Sequence, residues 1–151
     1  MLIAMTGEAY VDSSALRQLY AHDTRSAAMA NWRYKNPGTL ILTRFSRTEL
    51  VNSMASAVFR GDITHAAFDA FLQAFASDLR EDDLRLVDVP WRAVMDQAAD
   101  LSQRHTHRLG TRTLDVLHVA SALELKVRHF VTYDAKQARL ATACGLKLIQ
   151  P

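Results

Sequence analysis

The stretch Thr111-Arg-Thr-Leu-Asp-Val-Leu-His-Val-Ala-Ser-Ala-Leu-Glu-Leu125, with His129-Phe-Val-Thr-Tyr-Asp134 just after it, decides how this chain is read. In the first segment Leu114, Leu117, Ser121 and Leu125 recur at helical spacing, Gly110 precedes it, and Lys126 and Arg128 form a basic exit. Asp115 sits near the start of that helix among apolar residues, with no lysine or arginine three or four places on. The second segment reads as a short strand ending in another acid. A buried helix feeding a short strand is the repeating unit of a parallel α/β sheet.

The rest of the chain repeats that alternation. Glu8-Ala-Tyr-Val-Asp12 reads as a strand, and Ser13-Ser14 opens a helix carrying Leu16, Leu19 and Tyr20. Asp23 or Thr24 caps a second helix to about Lys35, and Asn36-Pro-Gly38 is a turn. Thr39-Leu-Ile-Leu-Thr43 is an apolar run too short for a helix, hence a buried strand. Ser46 starts a helix to about Arg60, broken by Gly61-Asp62. Thr64 caps the next, with Phe68, Phe71, Leu72 and Phe75 as a stripe. Leu84-Arg-Leu-Val-Asp88 is a third strand, and Pro90 opens a helix to about Arg108. Phe130-Val-Thr132, a helix from Asp134 to about Ala143 stopped by Gly145, and Leu146-Lys-Leu-Ile149 complete the pattern. The expected fold is α/β: a five-stranded parallel sheet covered by helices on both faces.

The totals agree with one domain over 1–151. At 151 residues the chain is long enough for a real core, and 49% hydrophobic with 23% charged residues is ordinary globular composition. A net charge of +2 does not by itself indicate nucleic-acid binding. A single cysteine, Cys144, excludes an internal disulfide and fits a reducing compartment. No segment reads as a signal peptide or membrane span, so a cytoplasmic location is expected.

In parallel sheets, function collects beyond the carboxyl ends of the strands. Asp12 follows the first strand, Asp134 follows the fourth, Glu49 lies in the helix entered from the second, and the helix of Asp115 returns to the same edge. Each acid has a separate structural reading. Ser46-x-x-Glu49 has the form of a capping box, Asp134 with Gln137 has the form of another cap, Asp12 is placed to cap the first helix, and Asp115, after a capping Thr113, complements a helix dipole. Those readings do not explain why all four share one edge. Two carboxylates 4 Å apart repel by about 4 kcal/mol at an effective dielectric near 20. A cluster of four therefore raises its pKa values, spreads apart, or holds a cation. All-oxygen donors suit Mg²⁺, with Mn²⁺ as a substitute, and such ions serve phosphate chemistry.

Tyr10-Val-Asp12-Ser-Ser14, Ser46-Arg-Thr-Glu49-Leu50, Arg112-Thr-Leu-Asp115-Val-Leu-His118-Val-Ala120 and Val131-Thr132-Tyr-Asp134-Ala135 together resemble the PIN domain, and within it the VapC toxins of bacterial toxin–antitoxin pairs. The likeness spans nearly the whole chain, about 8–150. It implies a three-layer sandwich and a Mg²⁺-dependent endoribonuclease. Asp12 and Asp115 would be the main metal ligands, Glu49 and Asp134 would complete the pocket, and Ser14 and Thr132 would support it. It further implies a VapB-like antitoxin, a homodimer, and an RNA substrate, tRNA or another structured RNA. The first acid comes late, after the segment Met1–Glu8. The alternative from another class is a non-catalytic PIN-like module that binds a protein or RNA partner.

Four arginines, Arg44, Arg47, Arg108 and Arg112, flank the acids in sequence and are candidates for holding RNA phosphates or for neutralising the acidic edge. His118, one turn after Asp115, is placed to orient that acid, to touch substrate, or to pack in the core. His105-x-His107 lacks a third ligand and reads as a solvated helix end. Cys144 reads as core. The aromatic stripe also reads as core, with an antitoxin-facing surface as its alternative.

Overall fold

The computed structural model describes residues 7–151. The segment Met1–Thr6, most of the leading stretch before the first acid, lies outside the described residues. The chain order among the described residues is β1 (Ala9–Val11), α1 (Ser13–Arg17), α2 (Ser26–Lys35), β2 (Leu40–Thr43), α3 (Arg44–Phe59), α4 (His65–Arg80), β3 (Leu84–Val87) and α5 (Trp91–Leu101). A π turn over Ser102–Thr106 then leads to α6 (His107–Leu109), α7 (Thr113–Glu124), β4 (His129–Val131), α8 (Ala135–Ala143) and β5 (Lys147–Ile149). The five strands form one all-parallel sheet in the order β3-β2-β1-β4-β5. Strand order reverses at β1, where the chain first builds outward through β2 and β3 and then returns to β4 on the other side. The crevice at such a reversal is the usual ligand position in open parallel sheets.

Alternation along the strands divides the core into two layers. Tyr10, Ile41 and Phe130 face α5, α7 and α8, packing with Val94, Leu101, Val116, Val119 and Leu140. Ala9, Val11, Leu40, Leu42 and Val131 face α1 to α4, packing with Leu16, Met29, Leu50, Met54, Phe71 and Phe75. The stripe on α4 is therefore core at Phe71 and Phe75, while Leu72 is exposed at its edge. Cys144 packs against the first layer, and burial raises its thiol pKa. No helix among the described residues is long and apolar enough to cross a membrane.

Several element bounds differ from expectation, two of them because a nearby polar side chain takes a backbone N–H. Helix α3 begins directly off β2: Thr43 is extended and its Oγ1 accepts from the Ser46 backbone N–H at 3.2 Å. Ser46 is thus inside the helix and Ser46-x-x-Glu49 forms no capping box. Asp23 does not cap α2, which starts at Ser26 after an Arg25 without a side-chain cap; the Asp23 carboxylate instead takes the Arg25 N–H in a local turn. Helix α1 is capped by Asp12 and stops at Arg17, short of Leu19 and Tyr20. The expected continuous helix from Pro90 to Arg108 is interrupted by the π turn and closed by Gly110 at φ +64, a left-handed position suited to glycine. His105 and His107 lie on this helix end beside Arg104 and Arg108. On α7 the buried set is Asp115, Val116, His118, Val119, Ala120, Ser121 and Ala122, broader than the Leu114–Leu125 face; Leu114 is exposed. The helix is covered by α5, α8 and the sheet, so most of its circumference is interior.

Candidate acidic active site

At the carboxyl edge of the sheet lies a cleft of about 800 Å³, lined among others by Ser13, Ser14, Arg17, Glu49, Ser53, Arg112, Leu114, Asp115, Asp134 and Gln137. Asp12 stands behind Ser14, fully buried. As the cap of α1 it accepts from the Ala15 N–H at 3.0 Å. Ser14 Oγ reaches its carboxylate at 2.8 Å and Thr132 Oγ1 donates to Oδ2 at 2.7 Å. All these donors are neutral. Burial raises the Asp12 pKa, outweighing the lowering from His118 and from the Ala15, Thr132 and Ser14 hydrogen bonds.

Thr132 and Ser14 also fasten β4 to β1. Thr132 Oγ1 accepts from the Asp134 N–H at 2.9 Å, and Ser14 Oγ accepts from the Tyr133 N–H at 3.0 Å. Asp134 is held in turn as the cap of α8, accepting from the Lys136 and Gln137 N–H groups. Gln137 does not close that cap with its side chain. Its amide crosses to α7 and donates to Asp115 Oδ1 at 3.2 Å, leaving the buried Oε1 without a partner among the described residues.

Asp115 is as buried as Asp12 but is held by charge. Its Oδ2 accepts from the Arg112 N–H at 2.8 Å and from Arg112 Nε at 3.2 Å. Burial pushes its pKa up, yet the Arg112 side-chain and backbone hydrogen bonds, with Gln137, bring it below the usual carboxylate value. Arg112 also spans to Asp134 at 3.3 Å. Its side chain is 70% exposed, so the guanidinium lies over the two acids from the solvent side.

Glu49 reaches the cleft from α3 and its Oε1 meets His118 Nε2 at 2.6 Å. His118 makes no hydrogen bond to Asp115 and is fully buried, so the residue one turn after Asp115 serves Glu49 instead. Of the four arginines flanking the acids in sequence, Arg112 alone lines the cleft. Arg44 turns away to Asp88, and Arg108 contacts Arg104 O and His105. Arg47 is exposed and outside the cleft lining.

Two cleft arginines escaped sequence reading. Arg17 lies on the last turn of α1, five residues after Asp12, and donates to Ser53 Oγ at 2.7 Å; Ser53 is one helical turn after Glu49. That spacing was readable. Arg25 follows an unusual turn and stacks over the Tyr133 ring at 4.8 Å, which no local pattern signals.

The edge thus carries Asp12, Glu49, Asp115 and Asp134; Thr132 joins Asp12 to Asp134, Gln137 and Arg112 join Asp134 to Asp115, and Glu49 is held separately by His118. Among the described residues, no three His, Cys, Asp or Glu side chains converge in an arrangement that would itself hold a metal ion. The donor chemistry nevertheless fits a hard divalent cation. Glu49, Asp115 and Asp134 line the cleft with oxygen, and Asp12 lies buried behind Ser14. Gln137 Oε1 is a buried acceptor without a partner among the described residues, and the cationic group facing Asp115 and Asp134 is an exposed arginine.

The sequence matches the PIN domain family model over residues 9–143. No curated protein sequence matches the chain. Among solved structures, the fold is similar to VapC20 of Mycobacterium tuberculosis, described as a sarcin-ricin loop cleaving toxin, with TM-score 0.68 and 18% identity over 94% of this chain and 98% of that one. It is similar to VapBC2 from Rickettsia felis, solved bound to a promoter DNA fragment, with TM-score 0.65 and 14% identity over 97% and 99% of the two chains. It also resembles FitAcB from Neisseria gonorrhoeae, with TM-score 0.60 and 13% identity over 93% and 95%. With a family match over residues 9–143 and an all-parallel five-stranded sheet, the chain belongs to the PIN domain family.

Proposed function

We propose that this protein is a divalent-metal-dependent endoribonuclease of the VapC type, the toxin of a toxin–antitoxin pair. The observation that carries the reading is the acidic strand-end cleft lined by Glu49, Asp115 and Asp134, with buried Asp12 directly behind Ser14 of its wall. The folds it resembles include VapC20, described as a sarcin-ricin loop cleaving toxin, and VapBC2, which supports the same reading. A VapB-like antitoxin, a homodimer, and work in the cytoplasm belong to this proposal.

Asp12 and Asp115 would hold Mg²⁺, or Mn²⁺, with Glu49 and Asp134 beside it; when bound, the ion supplies an activated water and offsets phosphate charge. The chain's own groups do the rest. Ser14 and Thr132 keep the Asp12 carboxylate from turning, which fixes the geometry at the β1 end. Glu49, anchored by His118, presents its carboxylate to orient or deprotonate the attacking water. Arg17, Arg25 and Arg112 line the walls and replace the Arg44, Arg47 and Arg108 set as the groups placed to hold RNA phosphates. Cleavage should therefore weaken steeply with salt.

The test is cleavage of RNA by the purified protein with Mg²⁺ and with EDTA. Cleavage should need the metal and vanish in Asp12→Asn and in Asp115→Asn while the circular dichroism spectrum stays native. Cleavage by Asp12→Asn at the wild-type rate would sink the assignment. The second reading, a non-catalytic module, draws on Arg112, which already neutralises Asp115 and Asp134 without a metal. It predicts that added Mg²⁺ leaves the melting temperature unchanged, whereas a binding site raises it.

A further inference from the structure

A buried polar chain runs from the core to the cleft. Thr43 Oγ1 and Ser46 Oγ lie 2.8 Å apart, Ser46 Oγ is 3.4 Å from Tyr10 Oη, Tyr10 Oη is 2.8 Å from His118 Nδ1, and His118 Nε2 is 2.6 Å from Glu49 Oε1. Thr43, Ser46, Tyr10 and His118 are all buried, and Glu49, at 25% exposure, is the single member that reaches solvent. The imidazole is gripped on its faces as well, with Phe45 at 4.6 Å and Tyr10 edge-on at 5.8 Å between ring centroids. Tyr10 is in turn stacked on Phe130 of β4 at 5.3 Å.

From this geometry we infer that Tyr10 and His118 are positioning residues for the proposed cleavage reaction, holding Glu49 so that its second oxygen faces the cleft. The inference rests on the ribonuclease reading. Oε1 is occupied by His118, while Oε2 accepts no hydrogen bond from any described residue. A glutamate on an exposed helix face samples several rotamers and loses entropy on being fixed. Here the cost is met by an imidazole that cannot rotate, because Tyr10 Oη pins its other nitrogen. With a carboxylate oxygen as its partner, Nε2 is the donor of that contact, and Nδ1 either accepts from Tyr10 or donates to it. A histidine that served the core alone would find both partners there. This one sends a nitrogen 69 residues along the chain to a side chain that lines the cleft.

Tyr10→Phe removes one hydroxyl and keeps the ring stacked on Phe130. It should lower kcat about tenfold, the range seen when an outer hydrogen bond to a working side chain is lost, with KM within about twofold. His118→Gln, which keeps a donor for Glu49, should retain more activity than His118→Leu. The diagnostic arm is a double-mutant cycle: in a Glu49→Gln background, Tyr10→Phe should cause no further loss. Wild-type kcat in Tyr10→Phe, wild-type kcat in Glu49→Gln, or fully additive losses would each overturn the inference. Should Tyr10→Phe fail to fold, nitrogen NMR of the wild-type imidazole decides, since a His118 bare of hydrogen at Nε2 is incompatible with it. Absence of any Mg²⁺-dependent cleavage by the wild type defeats the ribonuclease reading and this inference together. Wild-type cleavage with an indifferent Tyr10→Phe defeats this inference alone.

Discussion

Asp12 and Asp115 are buried alike, at 0% and 1% exposure, and stabilised by opposite means. Asp12 is ringed by hydroxyls and one backbone N–H, which orient a carboxylate without cancelling its charge. Asp115 has a guanidinium at 3.2 Å. Burial pushes both pKa values up, but the first aspartate is left short of positive charge and stays raised, while the Arg112 and Gln137 hydrogen bonds bring the second below its ordinary value. The two carboxylates therefore differ in charge balance, one held by neutral donors alone and the other by an arginine as well.

The sharpest way to break that comparison is to neutralise each acid in metal-free protein and measure urea unfolding. Asp115→Asn should destabilise by about 1–2 kcal/mol, kept modest because the Arg112 partner is largely in solvent. Asp12→Asn should leave stability unchanged or raise it by on the order of 1 kcal/mol, since a buried unpaired charge is removed. Losses of equal size in both variants would show that the two environments are equivalent.

The same pair gives a pH dependence of defined sign. Asp115 has a folded pKa below its unfolded value, so its contribution is present above about pH 4 and lost as pH falls through the folded value. Asp12 has a raised folded pKa, so the advantage of Asp12→Asn should be absent below about pH 4 and grow as pH rises through that higher value. Differences that run in parallel with pH would contradict the opposed shifts. The smallest effect concerns Arg112 itself. Arg112→Gln should cost under about 1 kcal/mol and move the Asp115 carboxyl upward in a carbon-detected NMR titration, making it resemble Asp12.

How much of this was legible depends on how local each determinant is. The strands were readable because Thr39–Thr43 and Leu84–Asp88 are short apolar runs between turns, and the convergence of Asp12 and Asp134 followed from their places just after strands. The α3 start is not legible locally, because Ser46-x-x-Glu49 has a capping box's form while Thr43, three residues earlier, is already extended and takes the Ser46 N–H. Gln137 looked like the partner of Asp134 by spacing, yet its side chain answers to Asp115, 22 residues away. Arg44 and Arg112 were equivalent in sequence. Asp88 claims one and Asp115 with Asp134 the other, a choice made by tertiary contacts alone.

The bond between Thr132 and Asp12 joins positions 120 residues apart. During synthesis, β1, β2 and β3 emerge with Asp12 and Glu49 long before β4 arrives to close the crevice, and chains fold in roughly that order. Until Thr132 and Tyr133 leave the ribosome, the Asp12 carboxylate lacks its strand-end clamp and Asp115 lacks Gln137. A nascent chain would therefore carry its acids without a working arrangement of them. The switch-point topology thus makes assembly of the acidic edge wait for β4.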